Sequence, residues 1–262
     1  MPSLNKAVAC LAEGGAAIGI GITHLRSVAA VQLAQASGYD WFFVDMEHGA
    51  CSLDAAAQMF TAGLLAGLTP FARVGRGALQ DAARALDTGA QGVILPQIES
   101  REEAEAAVAA LRYPPVGRRG WGGTSPHFGF RPPAVGDAMA IQNGQIAIVA
   151  IIETPSGVEQ VDAIAATEGI DILLIGATDL SIQMGIPGQY SAPAMQDVFA
   201  RAAAACRQHG KHLGMGGIYD QQWAARYHDL GARFLAGGSD HAFMLSAARS
   251  RADFLRGLSR DL

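Results

Sequence analysis

Short apolar runs alternate with alanine-rich amphipathic stretches along the chain, and the alternation is regular. The runs cover residues 17–22, 41–46, 70–74, 92–95, 146–152, 172–175, 212–215 and 233–236. Stretches of helical periodicity separate them, at 27–36, 53–66, 79–87, 101–111, 158–166, 194–208, 221–230 and 241–255. Several runs are apolar at every position, as strands of a parallel sheet buried on both faces must be. Ser100-x-x-Glu103 reads as a helix start, and Gly38, Gly67, Gly89 and Gly231 read as stops. This rhythm predicts an α/β chain folded as one (β/α)8 TIM barrel over residues 1–262. A doubly wound open sheet is the rival. It wants a glycine-rich first turn, and Gly19-Ile20-Gly21-Ile22-Thr23-His24 lacks the third glycine of a dinucleotide fingerprint. The longest irregular stretch, 113–131, holds Pro114-Pro115, Arg118, Arg119 and Trp121. A loop of that length in a compact domain has work to do, as a pocket wall or an oligomer contact.

A barrel of this kind places its chemistry at the C-terminal ends of the strands. The polar residues that close the apolar runs converge there. Asp45-Met46-Glu47-His48 follow the second run, Arg73 ends the third, and Pro96-Gln97 follow the fourth. Glu153-Thr154 follow the fifth, and the sixth leads through Gly176 to Asp179. Two carboxylates at a partly buried mouth repel unless a cation joins them or a proton is shared. Glu153 and Asp179 are therefore either ligands of a hard cation such as Mg2+ or Mn2+, or caps of the helices that follow. His48 is either a satisfied core histidine or a general base, with Asp45 and Asp87 as carboxylates able to orient it. Arg73, leaving a buried strand, needs an anion: a structural partner, a substrate carboxylate or a developing oxyanion.

Composition narrows the classes. Half the residues are hydrophobic and the net charge is −5, so a phosphate backbone is not the expected partner. No apolar run approaches the ~20 residues of a membrane span. The first ten residues lack a basic segment leading into an apolar one, which reads as a cytoplasmic protein. Cys10, Cys51 and Cys206 form no CxxC pair and suggest neither a disulfide framework nor a zinc ribbon. Of the 19 basic residues only Lys6 and Lys211 are lysines. One precedes the first strand and the other precedes the seventh, on the rim away from the chemistry. Neither is placed for an imine, so a carbanion made in this barrel would be stabilised through a divalent metal. Pyridoxal phosphate chemistry falls with the imine.

Asp45-Met46-Glu47-His48-Gly49, Arg73, Leu86-Asp87-Thr88-Gly89-Ala90-Gln91, Arg112-Tyr113-Pro114-Pro115, Ile152-Glu153-Thr154 and Ile175-Gly176-Ala177-Thr178-Asp179-Leu180 together resemble the HpcH/HpaI family of class II pyruvate aldolases. The resemblance runs over nearly the whole chain. It implies a barrel of the phosphoenolpyruvate/pyruvate type and reversible aldol addition of a pyruvate-like 2-oxo acid to an aldehyde, as in 4-hydroxy-2-oxo acid aldolases. It implies a divalent ion, Mg2+ or Mn2+ before Co2+ or Zn2+, held by Glu153 and Asp179. His48 would be the base and Asp87 would raise its basicity. Arg73 would hold the carbonyl oxygen, and the backbone at Gly176, Ala177 and Thr178 would bind the carboxylate. A homohexamer built as a trimer of dimers, with the C-terminal helix exchanged between subunits, is also implied.

Two departures from the family bear on the aldehyde. Ile151 stands where a glutamine is common, and Gly19 where a bulky aromatic is common. Both suggest a less polar or roomier pocket, with Gly19 and Trp121 shaping the aldehyde end. Two alternatives share the carboxylates: a citrate-lyase-type carbon–carbon lyase acting on a CoA thioester, and a non-catalytic barrel that binds 2-oxo acids.

Overall fold

The computed structural model describes residues 5–123 and 125–258. Its first half runs α1 (Lys6–Ala12), β1 (Ala17–Ile22), α2 (Val28–Ala36), β2 (Trp41–Asp45), α3 (Leu53–Ala66), β3 (Thr69–Arg73), α4 (Leu79–Asp87), β4 (Gly92–Leu95) and α5 (Arg101–Leu111). A 3-10 turn (Pro126–Phe128) and α6 (Val135–Gln145) lead to β5 (Ala147–Ile152), α7 (Pro155–Glu159), α8 (Val161–Ala165), β6 (Ile172–Gly176) and α9 (Ala177–Gln183). The chain ends with α10 (Pro193–His209), β7 (His212–Gly216), α11 (Gln221–Asp229), β8 (Ala232–Ser239) and α12 (Asp240–Leu258). The strands pair in sequence order, all parallel, and β8 closes on β1. The barrel expected from the alternation is the one observed.

Strand alternation sorts the apolar residues into two cores. Outward-facing residues such as Phe42, Val44, Val93, Ile148, Ile152, Leu173 and Ile175 pack beneath the helices. Inward-facing Trp41, Phe71, Ile94, Val149, Ile172, Leu174 and Phe234 fill the barrel. Inside it, Trp41 stacks on Phe234 with ring centroids 4.0 Å apart, and Phe71 meets both rings edge-on at 5.3 Å. Ala7 and Leu11 of α1 join this interior core, so α1 plugs the N-terminal mouth and leaves the other end open.

Differences from the sequence reading are local. Helix α1 starts at Asn5, whose side chain accepts from Val8 N at 3.0 Å and donates to Gln91 O at 3.0 Å. That anchor is tertiary and leaves little periodic signal in seven residues. Helix α6 contains Gly136 and Gly144 and lacks a clear apolar stripe. The single helix expected at 158–166 is two short ones that meet at Gln160. Strand β8 continues through Gly237-Gly238 to Ser239, where a turn was expected, because Ser239 still pairs with Gly21 across a register shift.

Helix α12 makes few contacts with the barrel. Phe243, Met244, Leu245, Phe254, Leu255 and Leu258 are each 45–64% exposed. Beside its first turn runs an apolar groove lined by Ile20, Ile22, Leu25, Leu33, Phe243 and Met244.

Candidate active site

A cavity of about 440 Å3 opens at the C-terminal ends of the strands. Trp41, Phe43, Ile94, Ile151 and Leu174 form its apolar part, and Asp45, His48, Arg73, Glu153, Thr178 and Asp179 are among its polar lining. Neither lysine is in this lining. Lys211 Nζ instead donates to Thr167 O at 3.1 Å and Ile170 O at 2.8 Å, before β7. Lys6 lies near Gly67, ahead of β3.

Asp45 and Arg73 are paired across β2 and β3, where they are register partners. Arg73 Nε donates to Asp45 Oδ1 at 3.0 Å and Nη2 to Oδ2 at 2.6 Å, a bidentate fork. Oδ1 also accepts from the backbone N–H groups of Glu47 and His48, each at 3.1 Å. Asp45 is fully buried. Burial works to raise its pKa, but the Arg73 fork and the two amides outweigh it and hold the carboxyl below the usual range. Arg73 is kept charged: burial disfavours the cation, and Asp45, Glu47 and Glu153 more than compensate. Asp45 thus orients Arg73 and the turn that carries His48. Its carboxylate contacts that turn through backbone amides.

Glu153 follows β5 directly and is 6% exposed. Its Oε1 accepts from Gln97 N at 2.9 Å. Gln97 holds φ +50°, a left-handed conformation unusual for a side-chain-bearing residue, so the chain spends about 1 kcal/mol to aim that amide. Arg76 fixes the Gln97 side chain at 2.9 Å. On the other side Gly176 is required: a Cβ there would sit 2.6 Å from Glu153 Oε2. Burial, opposed by the Gln97 amide and reinforced by the charges of Asp179 and Glu47, pushes Glu153 up to about 7. Glu47, also raised chiefly by burial, is a third carboxylate close enough for its charge to be felt.

Asp179 lies in the first turn of α9, whose Gly176 N-cap has no side-chain hydrogen bond. Neither carboxylate is the N-cap of the helix it precedes: Thr154 caps α7, and Asp179 is inside α9. Among the described residues no group of three or more His, Cys, Asp or Glu is arranged to hold a metal. The buried Glu153 and the exposed Asp179, hard-oxygen donors whose charges repel one another, fit a divalent ion that would join them at the cavity mouth.

The HpcH/HpaI aldolase/citrate lyase family profile matches residues 24–247. The chain belongs to that family. It is 36% identical to the 4-hydroxy-4-methyl-2-oxoglutarate aldolase cghB of Chaetomium globosum, over 99% of this chain and 98% of that protein. It is 34% identical to a 4-hydroxy-2-oxovalerate aldolase of Novosphingobium aromaticivorans, over 97% of this chain and 94% of that one. Its fold superposes on the HpcH/HpaI aldolase of Desulfitobacterium hafniense DCB-2 with a TM-score of 0.90 at 26% identity, covering 95% and 96% of the two chains.

Within this HpcH/HpaI chain three sequence expectations change. Asp87 does not meet His48. It is bridged at 2.6 Å by Arg119, which also stacks over Tyr113; the nearest charge to His48 is Glu47, at 3.7 Å. Trp121 packs on Tyr113, with centroids 5.7 Å apart, outside the cavity lining. The 113–131 loop is thus tied to α4 by Arg119, a tertiary bridge invisible to periodicity. Gly19 does not enlarge the pocket either. A Cβ there would lie 2.1 Å from the Trp41 ring, so the neighbouring strand supplies the aromatic that β1 lacks.

That exchange is testable. Gly19→Ala overpacks the barrel and costs about 1–3 kcal/mol. Trp41→Ala leaves a void and costs about 3–5 kcal/mol. In urea unfolding the double variant is expected to fall well short of the sum, because the alanine enters the space the indole vacates. Additive losses would show that the two side chains do not compete for one volume.

Sequence reasoning missed the Gln97 amide, which only its backbone conformation reveals, and left Glu47 without a role. By sequence His24 and His241 can reach the productive rim and Ser239 follows the eighth run there, but nothing in the spacing gave them a role; with Thr23 they share the cavity.

Proposed function

We propose that this chain is a class II aldolase that reversibly joins a pyruvate-like 2-oxo acid to a carbonyl acceptor. Family membership makes it a carbon–carbon lyase, and the single observation that carries the finer reading is the buried Glu153 beside Asp179 and Arg73. Glu153 and Asp179 would hold a divalent ion, Mg2+ or Mn2+ by the hardness of the donors, and when bound it would supply the charge that acidifies the C3 protons of the 2-oxo acid. Arg73, locked by Asp45, lies beside the carbonyl oxygen and stabilises enolate charge. The backbone N–H groups at Gly176, Ala177 and Thr178 receive the carboxylate, since no side chain caps that turn. His48, 66% exposed by side chain, moves the proton and can release it to solvent. Trp41, Ile151 and Leu174 keep water from the floor.

Trp121, outside this chain's own cavity lining, would shape an aldehyde pocket only in a neighbouring copy. The apolar face of α12 and the groove beside it support exchange of that helix within a hexamer. No helix among the described residues is long and apolar enough to cross a membrane.

The direct test is deuterium wash-in at the pyruvate methyl, followed by NMR with added Mn2+. Exchange is expected, and chelation is expected to stop it. A barrel that merely binds 2-oxo acids gives calorimetric binding without exchange, and that result would overturn the reading. Borohydride with pyruvate is expected to leave no adduct on Lys211.

A further inference from the structure

The ends of β1 and β8 meet at the cavity mouth and bring Thr23, His24, Ser239 and His241 into the lining that also holds Arg73, Glu153 and Asp179. In the ring of strands β1 stands four places from β5, so this wall faces Glu153 across the barrel. It is built on Asp240. Its carboxylate accepts from Thr23 N at 3.1 Å, Thr23 Oγ1 at 2.7 Å, His24 N at 3.0 Å, Leu25 N at 2.6 Å and His241 N at 2.8 Å. Burial works to raise its pKa, but these donors outweigh it and hold Asp240 at about 2.

An ionised carboxylate only accepts, so the one Thr23 hydroxyl proton goes to Asp240. Thr23 Oγ1 is then the acceptor toward His241 Nδ1, 2.8 Å away, with Ser239 Oγ at 3.2 Å from the same nitrogen. The chain of bonds fixes the tautomer: Nδ1 carries the proton and Nε2 is left for another partner. The His24 ring meets His241 edge-on, with centroids 4.8 Å apart. None of this serves the Glu153–Asp179–Arg73 group.

We propose that the His24–His241 wall is the acceptor subsite and that it selects acceptors bearing a carboxylate. The inference rests on the aldolase reading above, which places the 2-oxo acid on the β5–β6 side. The rest of the cavity offers a second carboxylate little. Asp45, Glu153 and Asp179 repel it, Arg73 is tied to Asp45, and the floor at Trp41, Ile94, Ile151 and Leu174 is apolar. The His24 ring N–H and the Ser239 hydroxyl are donors at the far end, and His241 donates through Nε2 as the imidazolium, the form that an adjacent carboxylate favours. The substrates named for the two relatives differ at this point. In 4-hydroxy-4-methyl-2-oxoglutarate the acceptor half carries a carboxylate, and in 4-hydroxy-2-oxovalerate it carries only a methyl. The wall puts this chain with the first.

The test is retro-aldol kinetics on those two compounds with Mn2+, comparing the wild type with His24→Ala, His241→Ala and His241→Gln. The ratio of kcat/KM for the dicarboxylate over the monocarboxylate is expected to fall about 30-fold in His241→Ala, from loss of a hydrogen bond to a charged group. Most of that fall should lie in KM. His241→Gln, which keeps a donor, should recover part of it. In the metal-free protein, glyoxylate should shift the His24 and His241 ring signals in a histidine 1H–15N spectrum, and propanal should not. A ratio unchanged in both alanine variants, or equal loss on both substrates, overturns the subsite. A wild type that fails to exchange the pyruvate methyl protons defeats the aldolase reading itself, and the subsite with it.

Discussion

Glu153→Gln is expected to do two opposite things near pH 8: to raise the unfolding midpoint of the metal-free protein and to remove turnover. Burial, opposed by the Gln97 amide, and repulsion from Asp179 and Glu47 push Glu153 up to about 7. An unfolded glutamate titrates near 4.3. Between those values the native state holds a proton that the unfolded chain has released, so stability falls as pH rises through the window. The loss is complete above the folded value. Glutamine cannot ionise and escapes it, which makes the variant more stable by about 2–3 kcal/mol near pH 8, or about 5 °C in midpoint. At about pH 4 both side chains are neutral and the midpoints should coincide. Added Mn2+ should stabilise the wild type and leave the variant unmoved. Turnover should drop about a thousandfold, the several kcal/mol that a bound cation contributes to charge stabilisation. Equal midpoints near pH 8 would mean that the carboxylate is not strained, and retained turnover would remove it from the reaction.

The barrel was legible because strands such as β4 and β5 are buried at every position, and unbroken apolar runs between amphipathic stretches leave few other folds. The Glu153–Asp179–Arg73 group was legible for a related reason: an ionisable residue directly after such a run has one rim to go to. What the sequence concealed depends on contacts between distant segments. Arg119 reaches Asp87 over 32 positions, and nothing local announces that Asp87 is taken. Trp41 fills the volume above Gly19 because the two are register partners on adjacent strands, a relation that exists only once the sheet closes. Nothing local marks Asp240 as a hub, since its donors at Thr23, His24 and Leu25 lie more than 200 positions away.

Removing Arg73 should damage the fold and the chemistry together, and the two losses can be separated. Arg73→Ala strips the cation from Asp45, a fully buried carboxylate left with only the Glu47 and His48 amides. An uncompensated buried charge costs about 3–5 kcal/mol, measurable as a lower urea midpoint. Loss of a positive group beside a developing oxyanion costs about 100- to 1,000-fold in rate. Arg73→Lys keeps the charge but replaces a planar fork with a point donor. Stability should return in part while pyruvate methyl exchange stays slow, because one nitrogen cannot satisfy both Asp45 oxygens and also face the substrate. The double variant Asp45→Asn/Arg73→Ala should regain most of the stability, since no charge is then buried, and none of the exchange. If instead the double variant exchanges deuterium at the wild-type rate, the guanidinium is a structural counter-ion for Asp45, and charge stabilisation at this mouth falls to the cation alone.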